Sequence, residues 1–159
     1  IIVSTGATYN DEIEKTSFQL KNSNFTFLHC VTLYPTPLQE FNLDRMNYLR
    51  KFTKSVGWSD HSLVEKDGIK GTLASIYYGA DMVERHYTIL PPEQTKDGPV
   101  SIQPEYLDEI VKFAKLAKVE QENYLNDIFP EYSICLGVQQ RELTQNELFN
   151  RDYYKGRFI

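Results

Sequence analysis

Four short runs rich in β-branched and aromatic residues, at 1–4, 25–31, 56–59 and 82–85, alternate with helix-length segments, and this alternation leaves the chain few folds. Thr5-Gly6 closes the first run, and Asn10-Asp11-Glu12 supplies a cap and first-turn acids for a helix to about Leu20. The second run passes through Tyr34-Pro35-Thr36-Pro37 into a helix over 43–53, and the third leads to a helix over 67–78. After the fourth comes a long helix opened by Pro104, with Leu107, Ile110, Val111 and Ala114 on one face. Consecutive βα units imply parallel strands joined by right-handed crossovers.

Such a sheet must be covered on both faces or closed into a barrel, and four strands amount to half of an eight-stranded one. The expected fold is therefore α/β, half of an eight-stranded (β/α)8 barrel over residues 1–128 whose other half is missing from this sequence or supplied by another chain, with an extension over 129–159 packed on its outside. Residue 1 is not Met and the chain opens directly in a strand, so it is expected to begin within a larger protein.

The 159 residues include 41% hydrophobic and 13% aromatic residues, enough for a sizeable core. A net charge of -5, without long blocks of one sign, argues against a nucleic-acid backbone as partner. No stretch approaches the roughly 20 apolar residues of a membrane span. Cys30 and Cys135 lack CxxC spacing, which favours reduced thiols and a cytoplasmic protein.

The chemistry gathers where strands end. Val56-Gly57-Trp58-Ser59-Asp60-His61 and Met82-Val83-Glu84-Arg85-His86 are both apolar runs that finish in polar groups and an imidazole. If these strands are parallel neighbours, His61 and His86 emerge at one end roughly 5 Å apart. Two imidazoles there can share an ion, and the open positions suit Mn²⁺, Fe²⁺ or Mg²⁺ better than a closed zinc site. Alternation places Ser59 with His61 and Glu84 with His86, whereas Trp58, Asp60 and Arg85 point the other way. Ser59 is a phosphate or carboxylate donor or a local cap. Glu84 is a base, an anchor for a neighbouring group, or a paired structural carboxylate. Asp60 and Arg85 read as structural partners, and His29 and Cys30 as core. The long loop over 88–102 makes Asp97 a candidate hydroxyl ligand or a solvated Asp-Gly turn, and Thr32 and Tyr34 are candidate contacts at the same face.

These motifs, in this order, resemble the sialic acid synthase family: Ser4-Thr5-Gly6, Leu28-His29-Cys30, Tyr34-Pro35-Thr36-Pro37, Gly57-Trp58-Ser59-Asp60-His61, Glu84-Arg85-His86-Tyr87-Thr88, and Asp97 before Ser101. The resemblance runs from Ile1 to about Ala117 and implies the last four βα units of a TIM-barrel synthase. It further implies metal-dependent condensation of phosphoenolpyruvate with an N-acetylated amino sugar, such as N-acetylmannosamine, giving a nonulosonic acid and phosphate. By the same resemblance His61 and His86 are metal ligands for Mn²⁺ or another divalent ion, and Ser59 contacts phosphoenolpyruvate. Tyr34 and Asp97 position the sugar, Thr32 stands where many members have Asn or Ser, and Glu84 and Asp97 are the catalytic carboxylates. A homo-oligomer, a dimer, is implied, and the chain alone is expected to be inactive because the family's first four strands have no counterpart in it. Rival readings are another metal-dependent TIM-barrel aldolase or hydrolase, or a non-catalytic barrel serving as an interaction domain.

Overall fold

The structure, a computed structural model, describes residues 1–155, so residues 156–159 of the expected extension lie outside the described residues. Strands β1 (Ile2–Ser4), β2 (Thr26–Cys30), β3 (Ser55–Asp60) and β4 (Met82–Arg85) form one sheet in sequence order, and every neighbouring pair is parallel. The register aligns Val3, Phe27 and Val56 in one row and Cys30, Ser59 and Glu84 in another. Because side chains alternate, the first row faces the helices and the second faces away from them.

The helical layer is made by α1 (Asn10–Gln19), α2 (Arg45–Leu49), α3 (Val64–Asp67), α4 (Lys70–Tyr77), α5 (Pro104–Ala114) and α6 (Lys118–Ile128). One buried cluster joins Phe27, Val56 and Trp58 of the sheet to Ile13, Phe41 and Leu49. A second gathers Leu73, Ile102, Ile110, Phe113 and Leu125. Burying one large apolar side chain contributes roughly 1.5–3 kcal/mol, so these clusters hold the layer to the sheet. Leu28, on the opposite face, belongs to neither cluster yet is 1% exposed. It fills the notch above Gly57, where an added Cβ would stand 2.6 Å from Leu28 Cδ2 and 2.4 Å from the Met82 carbonyl oxygen.

Three helices differ from the sequence expectation. The helix expected over 67–78 forms as α4 but starts later, because Gly68, at a φ of 55°, ends the separate short α3 just before it. The single long helix after Pro104 is two, because Ala117 is extended and its N–H is taken by the Glu120 carboxylate at 2.8 Å, which starts α6. The helix expected over 43–53 shrinks to α2, preceded by Asn42 at φ 50°.

The extension starts in the core and ends as a helix. Phe129 and Cys135 join the core beneath the helices, and Leu43 N–H donates to the Cys135 carbonyl at 2.9 Å. Beyond them the chain turns to the carboxyl end of the sheet and forms α7 (Gln145–Lys155). Its start is a reciprocal cap: Glu147 N–H donates to Thr144 Oγ1 at 3.3 Å, and Thr144 N–H to the Glu147 carboxylate at 3.0 Å. Glu147 also accepts both arms of Arg141, at 2.6 and 2.7 Å. Burial opposes its charge, but Arg141 and Thr144 prevail and hold the carboxyl below its usual value. Further along α7, Asn150 Nδ2 donates to the Thr32 carbonyl at 2.6 Å, and Arg151 donates to the Ala7 carbonyl and to Glu12. Thr32 and Ala7 follow β2 and β1, so α7 lies over the ends of those strands.

His29 sits in the helix-side core, its ring against Trp58 at 5.0 Å and its Nε2 2.7 Å from the Phe41 carbonyl oxygen. Burial pushes its pKa down to about 3, so the folded chain keeps it neutral while the unfolded chain protonates it near 6.5. Stability is therefore undiminished above pH 6.5 and falls as the pH drops toward 3, by roughly 1.4 kcal/mol per pH unit from this residue. Urea unfolding between pH 7 and 4 should show a shallower pH slope for His29→Gln than for the parent. An identical slope contradicts this account.

Candidate functional site

Asp60 and Arg85 are partners in the β3–β4 register, so the next residues, His61 and His86, leave the sheet side by side. Their ring centroids lie 5.2 Å apart with planes at 63°. Beneath them, on the helix side, the Asp60 carboxylate meets the Arg85 guanidinium, their side chains 0% and 4% exposed. Asp60 also accepts the Ser62 N–H at 2.8 Å and the Thr72 hydroxyl at 2.6 Å, while Arg85 donates to Ser62 Oγ at 2.7 Å and to the Ser62 carbonyl at 3.1 Å. The ionic groups therefore find partners with the geometry that a buried pair needs to repay its desolvation.

His61 is buried, and Tyr34 closes over it: the phenol oxygen is 2.7 Å from Nε2 and the ring centroids are 4.0 Å apart. Burial, reinforced by the neighbouring His86, pushes the His61 pKa down to about 4, which keeps its nitrogen lone pair available at neutral pH. His86 is half-buried, with Nδ1 3.8 Å from the Asp97 carboxylate. Tyr34 meets the His86 ring edge-on at 6.1 Å. Tyr34, His86 and Asp97, with Lys96 and Asn150, line an open cavity of about 380 Å³.

Ser59 and Glu84 lie on the same face two residues deeper, and the Ser59 hydroxyl donates to Glu84 Oε1 at 2.7 Å. Ser59 is buried, whereas Glu84 is exposed on the edge strand. Thr32 stands apart, beneath α7, with its carbonyl oxygen taken by Asn150 and its Oγ1 close to Gly6. The structure thus brings together Tyr34, His61, His86 and Asp97, places the Ser59–Glu84 pair beside them, and leaves Thr32 outside the cavity lining.

His29 and Cys30 are both buried, as the sequence reading of them as core has it, but on opposite faces of the sheet. Neighbours in a strand face opposite ways, and Cys30 lies on the site face with Sγ 3.9 Å from His61 Nδ1. Burial pushes its thiol up to about 11, so it is a neutral packing group under the imidazole rather than a thiolate. Asn150 and Lys96 were not singled out from sequence. The Thr144-x-x-Glu147 box was the available signal for α7, though it could not say where that helix packs. Among the described residues, no three or more His, Cys, Asp or Glu side chains converge to hold one ion, so the histidine pair is the nitrogen donor set on offer.

Residues 1–123 match a family model described as the NeuB family. The chain is 38% identical over 113 residues to an N,N'-diacetyllegionaminic acid synthase of Campylobacter jejuni, covering 67% of this chain and 33% of that protein. It is 28% identical over 122 residues to the human N-acetylneuraminate-9-phosphate synthase, covering 74% of this chain and 33% of that protein. It therefore spans about a third of the length of these curated relatives. A crystal structure of an N-acetylneuraminic acid (sialic acid) synthetase from Leptospira borgpetersenii, in complex with citrate, superposes with a TM-score of 0.64 at 28% identity, over 99% of this chain and 50% of that one.

Breaking the ion pair on one side leaves a buried charge. Arg85→Met should cost about 3 kcal/mol in urea unfolding and perturb the imidazole resonances of both His61 and His86, whereas adding Asp60→Asn to it should recover part of the loss. A loss below about 1 kcal/mol with unmoved imidazole signals is the contrary result.

Proposed function

This chain belongs to the NeuB family, and from that premise we propose that it is the carboxyl-terminal half of a synthase barrel joining phosphoenolpyruvate to an N-acetylated amino sugar. The observation that carries this reading is the adjacent His61–His86 pair at the carboxyl end of a parallel sheet, flanked by Tyr34 and Asp97. Two further features support it. The helices cover one face of the sheet, while Ser59 and Glu84 face away from them, which suits the inner wall of a barrel. β1 and β4 end the sheet with unpaired edges, which four further βα units would close.

The residues fit a divalent cation: two adjacent imidazoles, one held neutral, with carboxylate and phenol oxygens nearby. His61 and His86 would hold it, Mn²⁺ suiting this mixed set, and when bound it supplies Lewis-acid polarisation of the sugar's aldehyde oxygen. Tyr34 shields His61 from water and orients its ring. Asp97, on the loop after β4, accepts a hydroxyl proton of the open-chain sugar and fixes its approach beside His86. The Ser59 hydroxyl, turning from Glu84, donates to phosphoenolpyruvate, and the Glu84 carboxylate so released takes a proton from the water that adds at C2. The C3–C1 bond forms, the aldehyde oxygen gains a proton to become hydroxyl, and phosphate departs with the C2–O bond as the keto acid is left.

With the barrel completed by its remaining four units, Mn²⁺-dependent phosphate release from phosphoenolpyruvate is expected with N-acetylmannosamine or a diacetamido hexose. His61→Ala should reduce it at least about 100-fold, and the chain alone should release none. Absence of phosphate release with every such sugar would falsify the assignment. For the isolated chain, light scattering should show association through the open edges, and a stable monomer at high concentration speaks against the half-barrel.

A further inference from the structure

One wall of the cavity comes from the last helix rather than from a βα loop. Asn150 lines the cavity together with Tyr34, His86, Lys96 and Asp97. Its amide orientation is decided by its partner. The Thr32 carbonyl at 2.6 Å can only accept, so Nδ2 faces it and Oδ1 is the end left to accept from something else. The backbone behind Asn150 is fixed by its neighbour. Arg151 reaches the Ala7 carbonyl at 2.6 Å and Glu12 at 2.9 Å, and lies over the Tyr9 ring at 4.4 Å, joining α7 to the β1–α1 connection. At the other end of the helix, the buried Glu147 is clasped by Arg141. An amide pinned at one end, on a helix anchored on both sides of it, is a preorganised acceptor for a ligand N–H or O–H.

Taking the cavity as the acceptor-sugar site of the function proposed above, we propose that Asn150 is a sugar-binding residue of α7. Its Oδ1 accepts a hydrogen bond from an N–H or O–H of the sugar. Asp97 and Asn150 then grip the same molecule from two elements about 50 residues apart in sequence. The carboxylate and the amide carbonyl both accept, and Lys96 donates, which is the pattern for a polyhydroxylated amide rather than for an apolar ligand. The loop after β4 and α7 thereby set which acceptor fits, and residues 129–155 belong to the substrate site as well as to the core.

The test is an NMR titration of the barrel completed by its remaining four units, ¹⁵N-labelled, with N-acetylmannosamine, following the side-chain amide pair that disappears in Asn150→Leu. Sugar should shift that pair and the His86 imidazole together. Asn150→Leu should weaken sugar binding about tenfold, the size of one hydrogen bond, while the exchange protection of α7 amides and the affinity for Mn²⁺ stay unchanged. A purely structural role predicts the reverse, loss of α7 protection with sugar affinity following it, and overturns the proposal. So does sugar binding that shifts His86 and is unaltered by Asn150→Leu, which leaves the synthase reading standing. If the completed barrel binds no sugar, the synthase reading itself falls and this proposal with it.

Discussion

The buried contact between Asp60 and Arg85 is the interaction on which the site depends. Each residue immediately precedes a histidine, and each side chain points to the helix side, so the pair ties the last turns of β3 and β4 together from beneath. Asp60 further gathers Ser62 and Thr72, and Arg85 gathers Ser62, so the ends of both strands and the start of the helical layer share one hydrogen-bonded knot. A residue-by-residue alternation then sends His61 and His86 to the other face with a fixed spacing. Buried ion pairs contribute little net stability compared with apolar residues of the same shape, but they allow few alternative registers. In this sheet the register is what the imidazole pair requires.

The same alternation divides the sheet into two unlike faces. The helix side is filled by Phe27, Val56 and Trp58 and their partners, whereas the other carries Cys30, Ser59 and Glu84, which are too polar and too small for a second helical layer. Leu28 survives there because Gly57 leaves it room. The protein's chemistry gathers on that polar face and at its carboxyl end, where residues from β3, the loop after β2 and the loop after β4 meet. The helix α7 adds a wall from a distant part of the chain, held in place by charge-assisted contacts of Arg141 and Arg151.

Much of this was legible in the sequence. The alternation of β-rich runs with capped helical segments determined four parallel strands in order, and the repeated apolar-then-histidine ending determined that two imidazoles share one end of the sheet. Parity alone put Asp60 and Arg85 opposite to them. What the sequence could not decide was anything set by packing at a distance. Helices broke at Gly68 and at Ala117, where local backbone conformation and a single carboxylate outweighed an apolar stripe. Cys30 proved to lie beneath His61, since a buried position in a strand does not reveal which layer buries it. Asn150 reached the cavity because Arg151 and Glu147 find partners 139 and 6 residues away in the chain, and such contacts leave no periodic trace. Local pattern fixes which way a side chain points along its own element, because backbone geometry repeats every two or 3.6 residues. Which elements come to face one another is a property of the folded whole, where long-range contacts decide between arrangements that local pattern leaves equal.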